Sequence, residues 1–339
     1  MAARASRETE PDVTIPLPTL RSPLPSSVPR TDYARGVLYA TGAGIALGTL
    51  GPVSNLAYAE GMSSPTFAAL RATIGATVLM AFLAASHADR VSVRNLARRD
   101  QALLGLTSVA QAALSLAIFA AYGAMAVAPV LAVYFSYPLI VAAASVALGR
   151  ERLTAVRTLG LALALGGLVA VVLGGGSGAN AAQVSVVGVA LAGLAATCQA
   201  TYLVASRSGF TRVPSLQATC VILAGAAILI WFVAWPAELA SGHPGAWLGS
   251  PTAWIAIAVA GILGAAVAKV WMLRGVRRVG GTRAAVLMLA EPVTGVALAA
   301  VVLNQGVSWL QLIGGIAVMA GALLAQRPAP AVARVRSSS

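Results

Sequence analysis

The sequence predicts an all-α integral membrane protein with ten transmembrane helices, arranged as two five-helix halves of opposite orientation. Three observations predict it: composition, the one-sided placement of the basic residues, and an internal repeat. Of 339 residues, 58% are hydrophobic and only 10% are charged, with a mean hydropathy of +0.84. Soluble domains carry roughly a quarter charged residues and do not need repeated apolar runs of about twenty residues, the length of a membrane-spanning helix. Lipid offers the backbone no hydrogen-bond partners, so only helices or a closed barrel can span it. The runs here are too long and too continuously apolar for barrel strands, which alternate over about ten residues.

The elements follow in chain order. Residues 1–32 are rich in Pro, Ser and Arg, lack an apolar h-region, and read as a disordered cytoplasmic tail. The first half, 33–174, holds spans at approximately 34–54, 65–85, 102–122, 126–148 and 156–174. "LGGGSGAN" lies at the start of a linker, 175–185; following a membrane helix, it reads as a connection rather than a phosphate cradle. The second half, 186–326, holds spans at approximately 186–206, 215–235, 252–273, 282–303 and 307–325. Residues 327–339 form a second cytoplasmic tail.

Orientation comes from the arginines. Counting alternate connections, 21 of the 23 Lys and Arg residues fall on one side, including Arg90–Arg99, Arg150–Arg157 and Arg274–Arg283. The opposite connections, such as "EGMSSP" and "AELASGHPG", contain none. By the positive-inside rule both termini are cytoplasmic. The pI near 11.1 is therefore a topology signal, and nucleic acid is not a partner. Arginine used almost to the exclusion of lysine fits a GC-rich bacterial genome, placing the chain in a bacterial inner membrane.

The halves repeat one another. A constant offset pairs Pro138 with Pro292, Glu151 with Gln305, and Gly160 with Gly314. An odd number of spans per half inverts one half relative to the other, and inverted repeats of this kind are a transporter architecture with the solute site between halves. At "YPLIVAAASVALGRERLT" and "AEPVTGVALAAVVLNQGVSWLQLIGG" the chain resembles the EamA-type members of the drug/metabolite transporter superfamily, over nearly all of 34–325. That resemblance implies ten helices, two inverted repeats, and transport of small organic solutes such as amino acids or drugs, often outward. The chain departs from the family pattern at Gln305, where an acid is usual, at Tyr137, where a glutamate often precedes the proline, and at Lys269, where an uncharged residue is commoner.

Glu291, in "MLAEPVTG", is the first candidate for coupling. A charge at a helix centre costs about 2.5–3.5 kcal/mol on insertion scales, so it should face a cavity or a partner. It is either a proton or substrate-ammonium site or a buried acid that holds another helix. Lys269, the one lysine in the chain, either snorkels toward Arg274 or pairs with Glu291. Arg71 is assigned a structural charge role, by snorkelling outward or contacting a carbonyl. Pro138 and Pro292 should kink their helices and free the carbonyls of Tyr134 and Met288.

Gln111, Ser115, Phe119 and Tyr122 share a face of the third span, Tyr134 and Tyr137 lie on the fourth, and Gln199, Tyr202 and Ser206 on the sixth. Such stripes line a path for an amphipathic solute or glue helices together. Gly44, Gly48 and Gly51 predict close packing of the first span. Cys198 and Cys220 are packing residues. No cofactor or metal is called for, and no GxxxxGK[ST] element marks an ATP-driven pump. The partners are a small solute, the bilayer and, for coupling, protons; a monomer accommodates all of this. A membrane-embedded enzyme acting on a lipid-linked substrate would have to use the scattered Glu60, Glu238 and His243. Two further readings are a facilitator without ion coupling and a non-transporting sensor.

Overall fold

The computed structural model describes residues 30–85, 91–124, 127–148, 154–174, 185–302 and 309–325. Both predicted tails apart from their first helical residues, the linker, Glu151 and Gln305 lie outside the described residues. The described part is helical: α1 (Arg30–Gly48), α2 (Leu50–Ala59), α3 (Ser64–Ala85), α4 (Arg98–Ala124), α5 (Val127–Tyr134), α6 (Tyr137–Ala147) and α7 (Ala155–Gly174) in the first half. The second half holds α8 (Val186–Ser208), α9 (Ser215–Ala240), α10 (Pro251–Val259), α11 (Ala268–Val279), α12 (Gly281–Leu287), α13 (Ala290–Val302) and α14 (Trp309–Ala325). Among the described residues six stretches are long and apolar enough to cross a membrane: Thr31–Ala59, Ser64–Ala85, Arg98–Ala124, Val186–Arg207, Ser215–Ala240 and Pro251–Val279.

Three of the predicted continuous spans are broken, and sequence explains each break. α1 gives way to α2 at Thr49, α5 to α6 at Phe135–Ser136, and α12 to α13 at Met288–Leu289. A proline then sits in the first turn of each new helix: Pro52 third in α2, Pro138 second in α6, Pro292 third in α13. There its missing N–H has no intrahelical partner to lose. The two expected kinks at Pro138 and Pro292 are thus full helix restarts, each proline opening the second piece. The carbonyl of Met288 accepts from the backbone N–H of Glu291 at 2.9 Å, a tightened turn that re-satisfies it.

A fourth interruption has no proline. Between α10 and α11, Ala260–Val267 is π-helical. Single-turn π insertions tend to mark functional positions, and eight residues of Ala, Gly, Ile, Leu and Val gave no sign of this one.

The two halves interdigitate. α1 packs on α11 and, by the same rule with halves exchanged, α8 packs on α4; α3 lies on α9, and α7 on α14. The π stretch lies on α3, and α9 on α4 in the exchanged position. α5 and α6 meet α8, as α12 and α13 meet α1. This exchange symmetry is what an inverted repeat produces, and it places the principal interhelical seams between halves.

Small residues make the seams close. A Cβ on Gly48 would fall 2.6 Å from the Glu291 carbonyl oxygen and 2.8 Å from Thr294 Cβ; one on Gly44 would fall 3.0 Å from the Met288 carbonyl oxygen. The predicted glycine face of the first span is thus spent on the α12–α13 break. Close approach through small residues is how helices associate where lipid supplies no hydrophobic drive. On the other flank, α3 meets the π stretch, where a Cβ on Gly75 would fall 2.6 Å from Ala265 Cβ.

Candidate functional site

Three buried charges gather around the α12–α13 break. Arg71 on α3 is 2% exposed, Lys269 at the start of α11 is 3% exposed, and Glu291 on α13 is 9% exposed. Among the described residues Glu291 has no salt bridge, yet both cations lie within Coulombic reach of it. Its Oε2 is fully buried without a hydrogen-bond partner among the described residues.

Each cation rests on an aromatic ring from a neighbouring helix. Arg71 donates from Nη2 to Ser115 Oγ at 3.1 Å, and its guanidinium lies 5.2 Å from the Phe119 ring centroid. Gln111 Nε2 donates to the same Ser115 Oγ at 3.0 Å. Helical spacing on α4 puts these three side chains on one face, and Arg71 closes over it. Lys269 Nζ lies 5.4 Å from the Tyr202 ring; one turn along, Gln199 Nε2 contacts Met272 Sδ at 3.5 Å. Cation–π contacts of this kind are worth about 2 kcal/mol or more when desolvated.

These contacts correct two expectations. Neither Lys269 nor Arg71 snorkels. α11 turns Lys269 into the bundle against α8, and Arg71 finds Ser115 and Phe119 inside instead of an outer carbonyl or solvent.

The tyrosines complete the surroundings. Tyr134 and Tyr137 are buried, with rings 5.3 Å apart, and Tyr137 Oη donates to the Ala285 carbonyl at 3.3 Å, bridging α6 to α12. Tyr122, Tyr134 and Tyr137 are all within electrostatic reach of Glu291. Pro138 and Pro292 are buried beside them. The stripes read from sequence on the third, fourth and sixth spans therefore converge from α4, α5–α6 and α8. Sequence reading missed Tyr58 on α2 and Phe67 on α3. Tyr58 stacks edge-on against Phe67 at 5.8 Å, and Phe67 against Phe119 at 5.1 Å. They extend the aromatic wall under Arg71; no polar neighbour in sequence flags them.

Several polar atoms in this region have no hydrogen-bond partner among the described residues: Arg71 Nε, Gln111 Oε1, Gln199 Oε1 and Glu291 Oε2. Buried polar groups are normally satisfied, so this concentration in one place needs a reason. Chemically, the cluster can hold a charged, hydrogen-bonding solute against aromatic walls, and Glu291 can exchange a proton there.

The remaining acids behave differently. Glu238, a candidate for interfacial chemistry, accepts from Ser63 Oγ at 2.9 Å, Thr66 Oγ1 at 2.5 Å, the Gly245 N–H at 3.1 Å and Trp247 Nε1 at 3.1 Å. It ties the start of α3 to the end of α9 and the turn beyond. Glu60 and His243 are exposed and apart from it in its hydrogen bonding.

No curated protein matches the chain. A crystal structure described without any function aligns over 86% of this chain and 96% of its own, at 23% identity and a TM-score of 0.69; it shows that the fold is shared. The EamA-like transporter family matches twice, over residues 34–173 and 186–326. Those two matches divide the chain where its own repeat divides it, and they cover both sides of the buried charge cluster: the chain belongs to the EamA-like transporter family.

Proposed function

We propose that this chain is a secondary active transporter that moves small organic metabolites outward across a bacterial inner membrane, by alternating access of its two repeats. In this reading the polypeptide crosses the bilayer ten times with both termini cytoplasmic, which the basic connections support. The solute sits among Arg71, Lys269, Glu291 and the tyrosine and glutamine side chains. Glu291 carries the proton that couples flux to the pH gradient, and the broken helices at Pro138 and Pro292 are the pieces that rearrange.

The observation that carries the reading is the placement of Glu291. It stands on the second residue of a restarted helix, buried, with an unpartnered oxygen, at a seam formed by both repeats. A structural acid would normally have its oxygens satisfied, as those of Glu238 are. Membrane-buried ionisable groups between helices commonly mark ion and solute pathways.

The test is uptake and exchange of a pooled labelled metabolite panel in proteoliposomes, with and without an imposed pH gradient, for wild type and Glu291→Gln. Gradient-driven flux that vanishes in the variant while exchange persists is the expected result. Unchanged gradient-driven flux in Glu291→Gln would make the residue structural and the protein a facilitator. Absence of flux for every solute would overturn the transporter reading.

A further inference from the structure

We infer that the central site recognises small hydroxylated organic monoanions, with the solute carboxylate held between Arg71 and Lys269. This rests on the transporter reading for its physiological meaning, though it concerns binding alone.

The argument begins with charge. Arg71 cannot lose its proton. Glu291 and Lys269 lie within reach of one another, and with one proton shared between them the pair is neutral wherever that proton resides: an ammonium facing a carboxylate, or an amine facing a carboxylic acid. In both arrangements the cluster of three keeps one net positive charge. Arg71 and Lys269 are almost wholly removed from solvent, and among the described residues no salt bridge serves either of them. An uncompensated charge in an apolar interior is costly. A monoanion restores balance. A zwitterion leaves the excess in place, and a cation doubles it.

Hydrogen bonding narrows the class. Arg71 commits Nη2 to Ser115 but leaves Nε without a partner among the described residues, so part of its fork remains for a carboxylate, the partner that guanidinium geometry matches best. Gln111 and Gln199 each use one end of the amide, on Ser115 and Met272, and leave the other without a partner among the described residues. Either orientation of each amide leaves one end free, so the conclusion does not depend on how the amides are assigned. As assigned, the free ends are oxygens, which accept from a hydroxyl. Phe119 and Tyr202 already stack on the cations and supply flat apolar walls for the solute body.

Two probe series test this, each keeping one carbon frame while changing charge. Lactate is compared with alanine, 1,2-propanediol and 1-amino-2-propanol; mandelate is compared with phenylglycine, 1-phenyl-1,2-ethanediol and 2-amino-1-phenylethanol. Binding is read from dose-dependent stabilisation of the purified full chain against heat, and transport from proteoliposome flux. The expected result is that at least one hydroxy monoanion binds tenfold or more tightly than the other members of its series. Lys269→Met, close to isosteric and apolar, should weaken that anion at least tenfold and erase the charge preference. Lys269→Arg should retain the preference, and Glu291→Gln should leave anion affinity equal or tighter. A purely structural lysine would change stability without moving charge selectivity.

The inference is overturned if neither monoanion stabilises the protein, if a zwitterion, diol or amine binds as tightly as its anion, or if Lys269→Met keeps full anion affinity and selectivity. The two readings fail separately. Anion binding without flux of any solute would remove the transporter reading and leave the site; flux confined to amines or neutral solutes would leave a transporter and remove the inference.

Discussion

Replacing Gly48 by alanine adds one methyl group at the tightest point of the α1–α13 seam. The added Cβ would lie 2.6 Å from the Glu291 carbonyl oxygen, 2.8 Å from Thr294 Cβ and 3.1 Å from the Gly295 nitrogen. Two of those three neighbours are backbone atoms, so no side-chain rotation relieves the clash and the helices must separate. Overpacking of this kind costs about 1–3 kcal/mol. Against that stands the better helix propensity of alanine, about 0.5–1 kcal/mol. The expected net loss is about 1–2 kcal/mol. Gly105 on α4 is the control, because a Cβ there meets nothing within 4 Å; Gly105→Ala should stabilise by up to about 1 kcal/mol. Thermal unfolding of the purified protein in one detergent, followed by tryptophan fluorescence, compares the two directly. The prediction is a difference in sign: a lower midpoint for Gly48→Ala and an equal or higher one for Gly105→Ala. A Gly48→Ala midpoint at or above that of wild type would refute the close seam, and with it the packing of α1 against the Glu291 segment.

Three further outcomes are expected. Glu238→Ala removes the acceptor for Ser63, Thr66, Gly245 and Trp247; it should cost up to about 2 kcal/mol and red-shift tryptophan emission as Trp247 loosens. Arg277 donates to the Val213 carbonyl at 2.8 Å and the Phe210 carbonyl at 3.2 Å, pinning Phe210 at a left-handed φ of 44°. Arg277→Lys cannot span both, so a loss of about 1–3 kcal/mol should accompany faster amide exchange over residues 209–214. Gln217 both donates to the Val91 carbonyl at 2.6 Å and accepts from its N–H at 3.1 Å. Gln217→Leu should therefore deprotect the Val91 amide in hydrogen exchange while leaving the centre of α9 unchanged.

Composition and charge placement made the helical membrane fold legible, because bilayer thickness and the cost of unpaired backbone groups leave so few solutions. The repeat at Pro138 and Pro292 was legible as well, and so was the glycine face of the first span. What that face meets could not be read: periodicity says that Gly44 and Gly48 point the same way, and only the tertiary arrangement supplies the Glu291 segment as their partner. The break at Thr49 went unread although Pro52 announces it. A proline three residues into a helix reads as an interruption only once the restart is known. At the site, the polar stripes identified Gln111, Tyr134, Tyr137, Gln199 and Tyr202 by type and spacing. Their convergence depends on exchange packing between halves, which no local pattern encodes.

Lys269 shows where local reading fails for a physical reason. Projecting a side chain around a helix assumes 3.6 residues per turn. The stretch Pro251–Val279 is 29 residues long and contains eight π-helical residues immediately before Lys269. Widened turns accumulate an angular offset, and one extra residue in a helix rotates everything beyond it by about 100°. A helical wheel drawn from α10 therefore cannot orient Lys269. The local composition permits the distortion because the residues there are small enough to be packed from outside: Gly261 receives Ile74, Gly264 receives Leu50, and Ala265 meets Gly75. Helix α3, which carries Arg71, and α2 thus hold the widened turns from one side, while α8 receives Lys269 on Tyr202. The same small-residue contacts that let the halves approach also fix the direction of a buried cation. Arg71 and Lys269 are therefore placed by one packing arrangement, and a change in the seam between α3 and the π stretch must move both.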